Sequence, residues 1–293
     1  MPSADTDLTA LEEKYHRDDF LLFSRAFPDR VPYLDAAIRK FATGENSRFS
    51  HQVTELVRSG KTPDFTSGAK IPWVQYEAGT DVSLATVLRP CDAHRVRKLM
   101  GFVGFDDNID SVAQNKNLER VVARLLNCQI DELELFQDMA LLKPPGGREK
   151  PWHQNKAYFD IALETLVVGC WIAVDKATCE SGCMHMLRRG HFAGPRMHFP
   201  KRDYQICDDE VLSFQGKDSN NKSEDDVVAL PLPAGGIVLF DGMIPHGTPT
   251  NTTSESRRAL QFHWVKRGAA KVRPDEPGGR IQSFGGTKNG LSC

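Results

Sequence analysis

The sequence lacks any long apolar run. No stretch approaches the roughly 20 consecutive apolar residues that a helix needs to cross a bilayer, and residues 1–7 are polar and acidic rather than basic and then apolar. We therefore expect neither a membrane partner nor a secretory signal peptide. The sequence predicts a soluble, cytoplasmic protein.

An excess of charge of one sign is also missing. The 293 residues include 37 Lys and Arg against 39 Asp and Glu, a formal net charge of −2. Such a balanced chain has no overall basic field to attract phosphates, so we expect no nucleic-acid partner. A Cys-x-x-Cys pair is absent as well, because Cys179 and Cys183 are one residue too far apart, and we expect the seven cysteines to be reduced thiols.

The first 130 residues are predicted to be mainly helical. Apolar residues recur at three- and four-residue steps in segments 29–43 and 118–127, and Gly44 follows the first of these where a C-terminal cap belongs. We also predict helices at 7–16 and 92–102. Residues 45–70 show few periodic cues and are predicted to form a loop or a mobile cover.

From about residue 133 the sequence changes to short β-forming runs. Turn residues separate them, among them Pro144-Pro145-Gly146-Gly147, and the runs lie at 133–142, 157–159, 166–174, 184–187, 227–230, 237–240 and 259–265. Many short strands with regular turns predict a jelly roll, that is, a double-stranded β-helix. We expect a single mainly β domain with flanking helices, comprising an N-terminal helical layer (1–130), the jelly-roll core (131–267, with a polar insertion at 201–226) and a C-terminal tail (268–293).

Two segments contain residues that can carry chemistry. In the run Trp152-His153-Gln154-Asn155, strand alternation would place His153 and Asn155 on one face, and His246 from another strand would complete a set of three metal ligands. Two histidines with a carboxylate in this arrangement are typical of mononuclear iron(II). Arg257, eleven residues after His246, could hold the distal carboxylate of a bound oxo-acid.

With these motifs the sequence resembles the phytanoyl-CoA dioxygenase family of Fe(II)/2-oxoglutarate-dependent oxygenases. The strongest stretches are FQDMALLKPPG (136–146), PWHQNKAYF (151–159), WIAVDKAT (171–178) and PHGTPTN (245–251). The resemblance implies iron ligands at His153 and His246, O2 as oxidant and 2-oxoglutarate held by Arg257. It further implies cosubstrate contacts from Lys98, Trp171 and Thr248, with Gln137 and Met139 lining the same cavity. Taken alone, Trp171 also fits a core aromatic residue, and Lys98 a solvated helix face.

Asn155 departs from the family pattern, which has His-x-Asp where this chain has His153-Gln154-Asn155. An amide oxygen can still coordinate iron(II), although neutrally and more weakly. Three interpretations stay open: an active oxygenase with a neutral third ligand, an engineered substitution that traps substrate, and a naturally silent member.

A basic loop at 188–202 is a second departure, because the family usually has a Pro-Gly-Ser-His turn there. Its residues Arg188, Arg189, Arg196, Lys201 and Arg202 could receive a substrate carboxylate, a phosphonate or an acyl-CoA phosphate, or could form a solvated loop.

The sequence thus predicts an Fe(II)/2-oxoglutarate-dependent dioxygenase that hydroxylates an unactivated C–H bond of a small organic substrate. The alternative is a catalytically silent family member that acts as a 2-oxoglutarate-binding or partner subunit.

Overall fold

The structure of the chain is a computed structural model that describes residues 1, 6–59, 72–77, 88, 90–202, 205–208 and 227–269. Among these residues, none of the helices combines the length and the apolar character that crossing a membrane requires. The predicted tail lies outside the described residues beyond position 269, as does most of the predicted insertion at 201–226.

The α-helices in the described part of the chain all lie before residue 126. They are α1 (Leu8–Asp18), α2 (Val31–Thr43), α3 (Ser47–Arg58), α4 (Asp107–Ala113) and α5 (Lys116–Leu125). The Asp7 carboxylate accepts a hydrogen bond from the Thr9 N–H (2.8 Å) and so caps α1. Gly44 ends α2 with φ at +81°, a conformation that glycine adopts without a steric penalty. The helices predicted at 7–16, 29–43 and 118–127 are therefore confirmed within a few residues.

Two predictions in this half of the chain were wrong. The loop expected at 45–70 begins with α3, where Asn46 caps the helix by accepting from the Phe49 N–H (3.1 Å) and where Phe49 and Val53 are buried one turn apart. The helix expected at 92–102 is instead a 3₁₀ turn (Pro90–Arg95) followed by a strand (Val96–Met100). Pairing with strands on both sides outweighs the weak local preference for helix there.

The strands, in chain order, are β1 (Phe20–Phe23), β2 (Trp73–Tyr76), β3 (Val96–Met100), β4 (Leu133–Lys143), β5 (Lys150–His153), β6 (Val168–Ala173), β7 (Met184–Leu187), β8 (His198–Arg202), β9 (Gln205–Asp208), β10 (Val227–Leu230), β11 (Ile237–Asp241), β12 (His246–Thr248) and β13 (Arg257–Lys266). A seven-stranded sheet has the order β1-β11-β6-β13-β4-β3-β2, and a four-stranded sheet has the order β10-β7-β12-β5. All the pairings are antiparallel, and this arrangement confirms the predicted jelly roll. The segment predicted to be helical also supplies β1, β2 and β3 to the large sheet.

Side chains of the large sheet alternate between two cores. On one face, Ile172, Leu239 and Phe262 pack in the same apolar cluster as buried residues of the helices. On the other face, Trp171 and Phe240 pack against residues of the small sheet such as Met186. The large sheet therefore separates the helical layer from the space between the sheets.

Two further differences concern short elements. Residues 157–159, predicted as a strand, belong instead to a 3₁₀ turn (Asn155–Tyr158) and the residue after it. Strands β8 and β9 pair with each other and reach into the predicted insertion. The strands predicted at 133–142, 166–174, 184–187, 227–230, 237–240 and 259–265 are confirmed.

Asp138 fixes the end of β3 and therefore the strand that carries Lys98. Its buried carboxylate accepts from three consecutive N–H groups, those of Gly101 (3.0 Å), Phe102 (2.7 Å) and Val103 (2.7 Å). We expect Asp138→Asn to lower the free energy of unfolding by about 2–3 kcal/mol, because an amide cannot serve all three donors.

The matched control is Asp106→Asn. Asp106 caps α4 by accepting from Asn108 (2.9 Å), and asparagine caps helices about as well as aspartate, so we expect a change within about 0.5 kcal/mol. Urea unfolding of both variants measures the difference. If Asp138→Asn lowered the free energy of unfolding no more than Asp106→Asn, an amide at position 138 would hold the turn as firmly as the carboxylate does.

Candidate active site

A cavity of about 140 Å³ is lined by residues of both sheets. It brings together every residue that the sequence analysis assigned to the site: Lys98, Gln137, Met139, His153, Asn155, Trp171, Thr248, His246 and Arg257. These residues come from β3, β4, β5, β6, β12 and β13 and from the turn after β5.

His153 and His246 face the cavity from neighbouring strands. They are register partners in the pairing of β12 with β5, and their ring centroids are 4.3 Å apart. The Nδ1 atom of His153 lies 2.7 Å from the Pro151 carbonyl oxygen, and that of His246 lies 2.9 Å from the Ile244 carbonyl oxygen. Each Nδ1–H therefore donates to the backbone, and each ring keeps Nε2 as the atom that can bind a metal.

The environment keeps both rings neutral. Burial, with the nearby charge of Lys150, holds the pKa of His153 well below its ordinary value. Burial likewise lowers the pKa of His246 to about 4. Neutral imidazole is the form that coordinates metal ions.

Asn155 reaches the cavity by a different route from the predicted one. β5 ends at His153, and Asn155 begins the 3₁₀ turn, so the two do not share a strand face. The Asn155 amide nitrogen lies 2.8 Å from Nε2 of His263, a buried ring whose pKa burial lowers to about 3. The neutral His263 ring therefore accepts a hydrogen bond from the Asn155 amide N–H at Nε2, and the Asn155 Oδ1 atom is left for another partner.

The donor set of two imidazole nitrogens and one amide oxygen suits a divalent ion of intermediate softness such as iron(II). Among the described residues that line the cavity, Glu77 is the single carboxylate, and it pairs with Arg148 (3.2 Å) and Arg97 (3.6 Å). A metal held here would therefore have no anionic protein ligand from the described lining.

Arg257 presents an unsatisfied guanidinium to the same cavity. It is buried, lies 5.4 Å from the Trp171 ring centroid, and its Nε and Nη1 atoms have no hydrogen-bond partner among the described residues. Burial lowers its pKa to about 10, so it stays charged at neutral pH. Arg258 points to the opposite face and pairs with Asp175 (2.7 Å) and Asp35, as strand alternation predicts.

Thr248 and Lys98 flank this guanidinium site. The Thr248 hydroxyl accepts from the Lys143 ammonium (2.8 Å) and keeps its own O–H to donate. Lys98 is half-buried on β3, beside Leu141 of β4, and burial lowers its pKa to about 8. Lys98 therefore lies in the cavity wall and not on a solvated helix face.

The sequence did not single out several polar residues of the site, among them Gln261, Lys150 and Tyr158 in the cavity wall and His263 beside Asn155. Gln261 and His263 follow Arg257 at even spacing on β13, so the period-two alternation could have found them, and Gln261 also approaches His263 Nε2 (3.0 Å). Lys150 and Tyr158 flank the metal motif, where the Lys150 ammonium donates to the Tyr158 hydroxyl. No sequence pattern singles out that pair.

The basic loop at 188–202 is partly structural. Arg188 and Arg189 are exposed, but Arg196 and His198 are buried. His198 Nε2 accepts from the Gln154 N–H (2.9 Å), and the Gln154 side chain accepts from the Arg196 N–H (2.8 Å). This part of the loop therefore supports the residue between His153 and Asn155.

Comparison with known proteins agrees with this architecture. A family model described as phytanoyl-CoA dioxygenase matches residues 82–259. The chain belongs to the phytanoyl-CoA dioxygenase family. It is 26% identical over 270 residues to phytanoyl-CoA dioxygenase domain-containing protein 1 of Rattus norvegicus, an alignment that covers 87% of this chain and 88% of the relative. The homologue from Caenorhabditis elegans is 23% identical, with coverage of 88% and 90%.

Solved structures share the fold. EvdO2 from Micromonospora carbonacea var. aurantiaca, in complex with 2-oxoglutarate, has a TM-score of 0.59 and 21% identity, with coverage of 95% of this chain and 98% of EvdO2. EctD from S. alaskensis, with bound Fe, has a TM-score of 0.61 and 16% identity, with coverage of 97% and 90%.

The neighbouring arginines allow a direct test of the site. We expect Arg257→Met to raise the free energy of unfolding of the ligand-free protein by about 1 kcal/mol, because it removes a buried charge that lacks a partner. We expect Arg258→Met to lower it by about 1–3 kcal/mol, because Asp175 and Asp35 lose their cation. Thermal or urea unfolding without ligand measures both, and a loss of stability in Arg257→Met would show that this guanidinium has a structural partner.

Proposed function

We propose that the protein is an Fe(II)/2-oxoglutarate-dependent dioxygenase that hydroxylates an unactivated C–H bond of a small organic substrate. The observation that carries the proposal is that His153, His246 and Arg257 line one cavity. Each histidine keeps its Nε2 atom for a metal, and the Arg257 guanidinium has nitrogens without a partner among the described residues. The family membership and the ligands of EvdO2 and EctD support it.

His153, His246 and Asn155 would hold the iron, the first two through Nε2 and the third through Oδ1. Bound iron(II) supplies, with 2-oxoglutarate, the activation of O2 that C–H oxidation needs. The chain's own part would be to supply these three side chains and to leave room in the cavity for 2-oxoglutarate and O2.

Arg257 would bind the distal carboxylate of 2-oxoglutarate in a charge-assisted contact, since its guanidinium has nitrogens without a partner among the described residues. Trp171, stacked near that guanidinium, would form the wall of the cosubstrate site, and the Thr248 hydroxyl would donate to the same carboxylate. Lys98 would add a second cation. Gln137 and Met139 would line the cavity from β4.

His263 would orient the third ligand. Because its Nε2 accepts from the amide N–H of Asn155, the ring would leave Oδ1 to bind the metal. Outer hydrogen bonds of this kind typically change metal affinity by about 10–100-fold. The amide would then be a neutral ligand, and negative charge at the metal would come from 2-oxoglutarate.

The decisive experiment is anaerobic addition of Fe(II) and 2-oxoglutarate, followed by visible absorption. We expect the charge-transfer band of the chelate to appear in the wild-type protein and to be lost in His246→Ala, because two ligands cannot hold the ion. His185→Ala is the matched control, since His185 lies on the neighbouring strand outside the cavity, and it should keep the band. A wild-type protein that binds neither iron nor 2-oxoglutarate would exclude the oxygenase and the 2-oxoglutarate-binding subunit alike.

A second candidate function rests on Asn155 itself. A neutral third ligand also suits a catalytically silent member that retains the oxo-acid site as a 2-oxoglutarate-binding or partner subunit. Such a protein would show the band without turnover.

Asn155→Asp separates the candidates. We expect the variant to bind Fe(II) at least tenfold more tightly, because the added carboxylate supplies a charge to the ion. We expect the wild-type protein already to form succinate from 2-oxoglutarate in the presence of O2. A wild type that becomes active only as Asn155→Asp would identify an engineered or recently lost ligand, and a silent wild type whose Asp variant is also silent would favour the binding subunit.

A further inference from the structure

Basic side chains dominate the wall of the cavity. Six basic side chains line it against the single carboxylate of Glu77 among the described residues: Arg97, Lys98, Lys143, Arg148, Lys150 and Arg257. A buried surplus of positive charge is costly unless ligands or protein groups neutralise it.

Three of these basic side chains have protein partners among the described residues. Arg97 and Arg148 share Glu77, as described above. The Lys143 ammonium donates to the Thr248 hydroxyl (2.8 Å) and to the Thr248 (3.2 Å) and Pro249 carbonyl oxygens, and burial lowers its pKa to about 6.

The proposed cosubstrate accounts for two more. Arg257 and Lys98 were assigned above to 2-oxoglutarate. Lys150 is then the remaining basic side chain of the described lining, since Lys143 has three acceptors whereas Lys150 has only the Tyr158 hydroxyl and no assigned ligand.

Lys150 occupies a defined position beside the metal motif. It begins β5, is the register partner of Thr248, and lies three residues before His153. Its ammonium donates to the Tyr158 hydroxyl and lies 4.2 Å from the Tyr158 ring centroid, while that ring packs edge-on against His153 at 5.4 Å. One aromatic ring therefore separates the cation from the first iron ligand.

The ammonium of Lys150 is only partly satisfied. It has three N–H donors, and the Tyr158 hydroxyl is the one acceptor that it contacts among the described residues. Burial, together with the positive charges of Lys98 and Arg97, holds its pKa well below the ordinary value. An anion in the cavity would relieve both the burial and the repulsion.

The neighbouring wall is apolar. Trp73, Met100 and Met139 form a buried cluster on the large sheet, and Leu141 packs against it. All four residues line the cavity. A molecule with one charged end and a hydrocarbon body would match this surface.

We propose that Lys150, held against Tyr158, binds the anionic group of the prime substrate, and that this substrate is a carboxylate or phosphonate with an apolar skeleton. The inference rests on the proposed function, since it takes Arg257 and Lys98 as the cosubstrate site. Lys150 would anchor the charged end of the substrate, and the cluster of Trp73, Met100 and Met139 would receive the carbon body near the metal ligands.

The test uses three probes of one chain length on the anaerobic protein loaded with Fe(II) and 2-oxoglutarate. Hexanoate, hexanamide and hexylphosphonate are titrated by calorimetry, and the visible band is followed in parallel. We expect the wild-type protein to bind hexanoate or hexylphosphonate at least tenfold more tightly than hexanamide, and the tighter of the two anions identifies the class of head group.

Variants then locate the effect. Lys150→Met keeps the length of the side chain and should remove the preference for the anion, whereas Lys150→Arg keeps the charge and should retain a preference. Lys266→Met, which removes a half-exposed lysine paired with Glu132 on the outside, is the matched control and should behave as wild type. All these variants should keep the band, which reports the folded cosubstrate site.

Each contrary result has a distinct meaning. An amide that binds as tightly as both anions, or an anion preference that survives in Lys150→Met, overturns the proposal. Loss of the band on addition of hexanoate also overturns it, because the acid would then be displacing 2-oxoglutarate at Arg257. Absence of the band before any probe is added is instead a failure of the proposed function.

Discussion

The pairing of β12 with β5 is the constraint on which the candidate site depends. It places His246 opposite His153 at one register position, and a shift by one residue would turn one of the rings to the other face of the sheet. The carbonyl oxygens of Pro151 and Ile244 then fix the rotation of each ring. The backbone of two short strands therefore determines which nitrogen atoms face the cavity, before any ligand is bound.

The large sheet supplies the complementary half of the site by simple alternation. Arg257 and Gln261 line the cavity from β13, and His263 on the same strand contacts Gln261 and Asn155, while Leu260 and Phe262 between them pack on the helical layer. Since β13 is hydrogen-bonded on both sides, to β4 and β6, it cannot shift without breaking two ladders. The guanidinium of Arg257 and the imidazole of His263 are thus both held by a strand that is paired on each side.

Sequence patterns predicted the fold and the residues that line the cavity well where the signal was periodic or concentrated in a motif. The strands from 133 onwards, and the grouping of His153, His246 and Arg257 around one cavity, followed from alternation and from the family motifs. The prediction failed where pairing partners were distant in sequence, as at 92–102, where β3 forms because β2 and β4 lie on either side of it. It also missed Lys150 and Tyr158, because their contact depends on how the 3₁₀ turn after β5 folds back towards that strand.

Asn155 is best understood together with the charges around it. A carboxylate at this position would face the Nε2 lone pair of His263 unless that ring changed tautomer. An amide avoids this repulsion, because it donates to His263. The same cavity holds Lys150 without an anionic partner among the described residues. A neutral side chain at 155 and a lysine without an anionic partner are consistent with each other if negative charge arrives with the substrate. A bound anion would favour the ammonium form of Lys150, whose pKa burial holds well below its ordinary value.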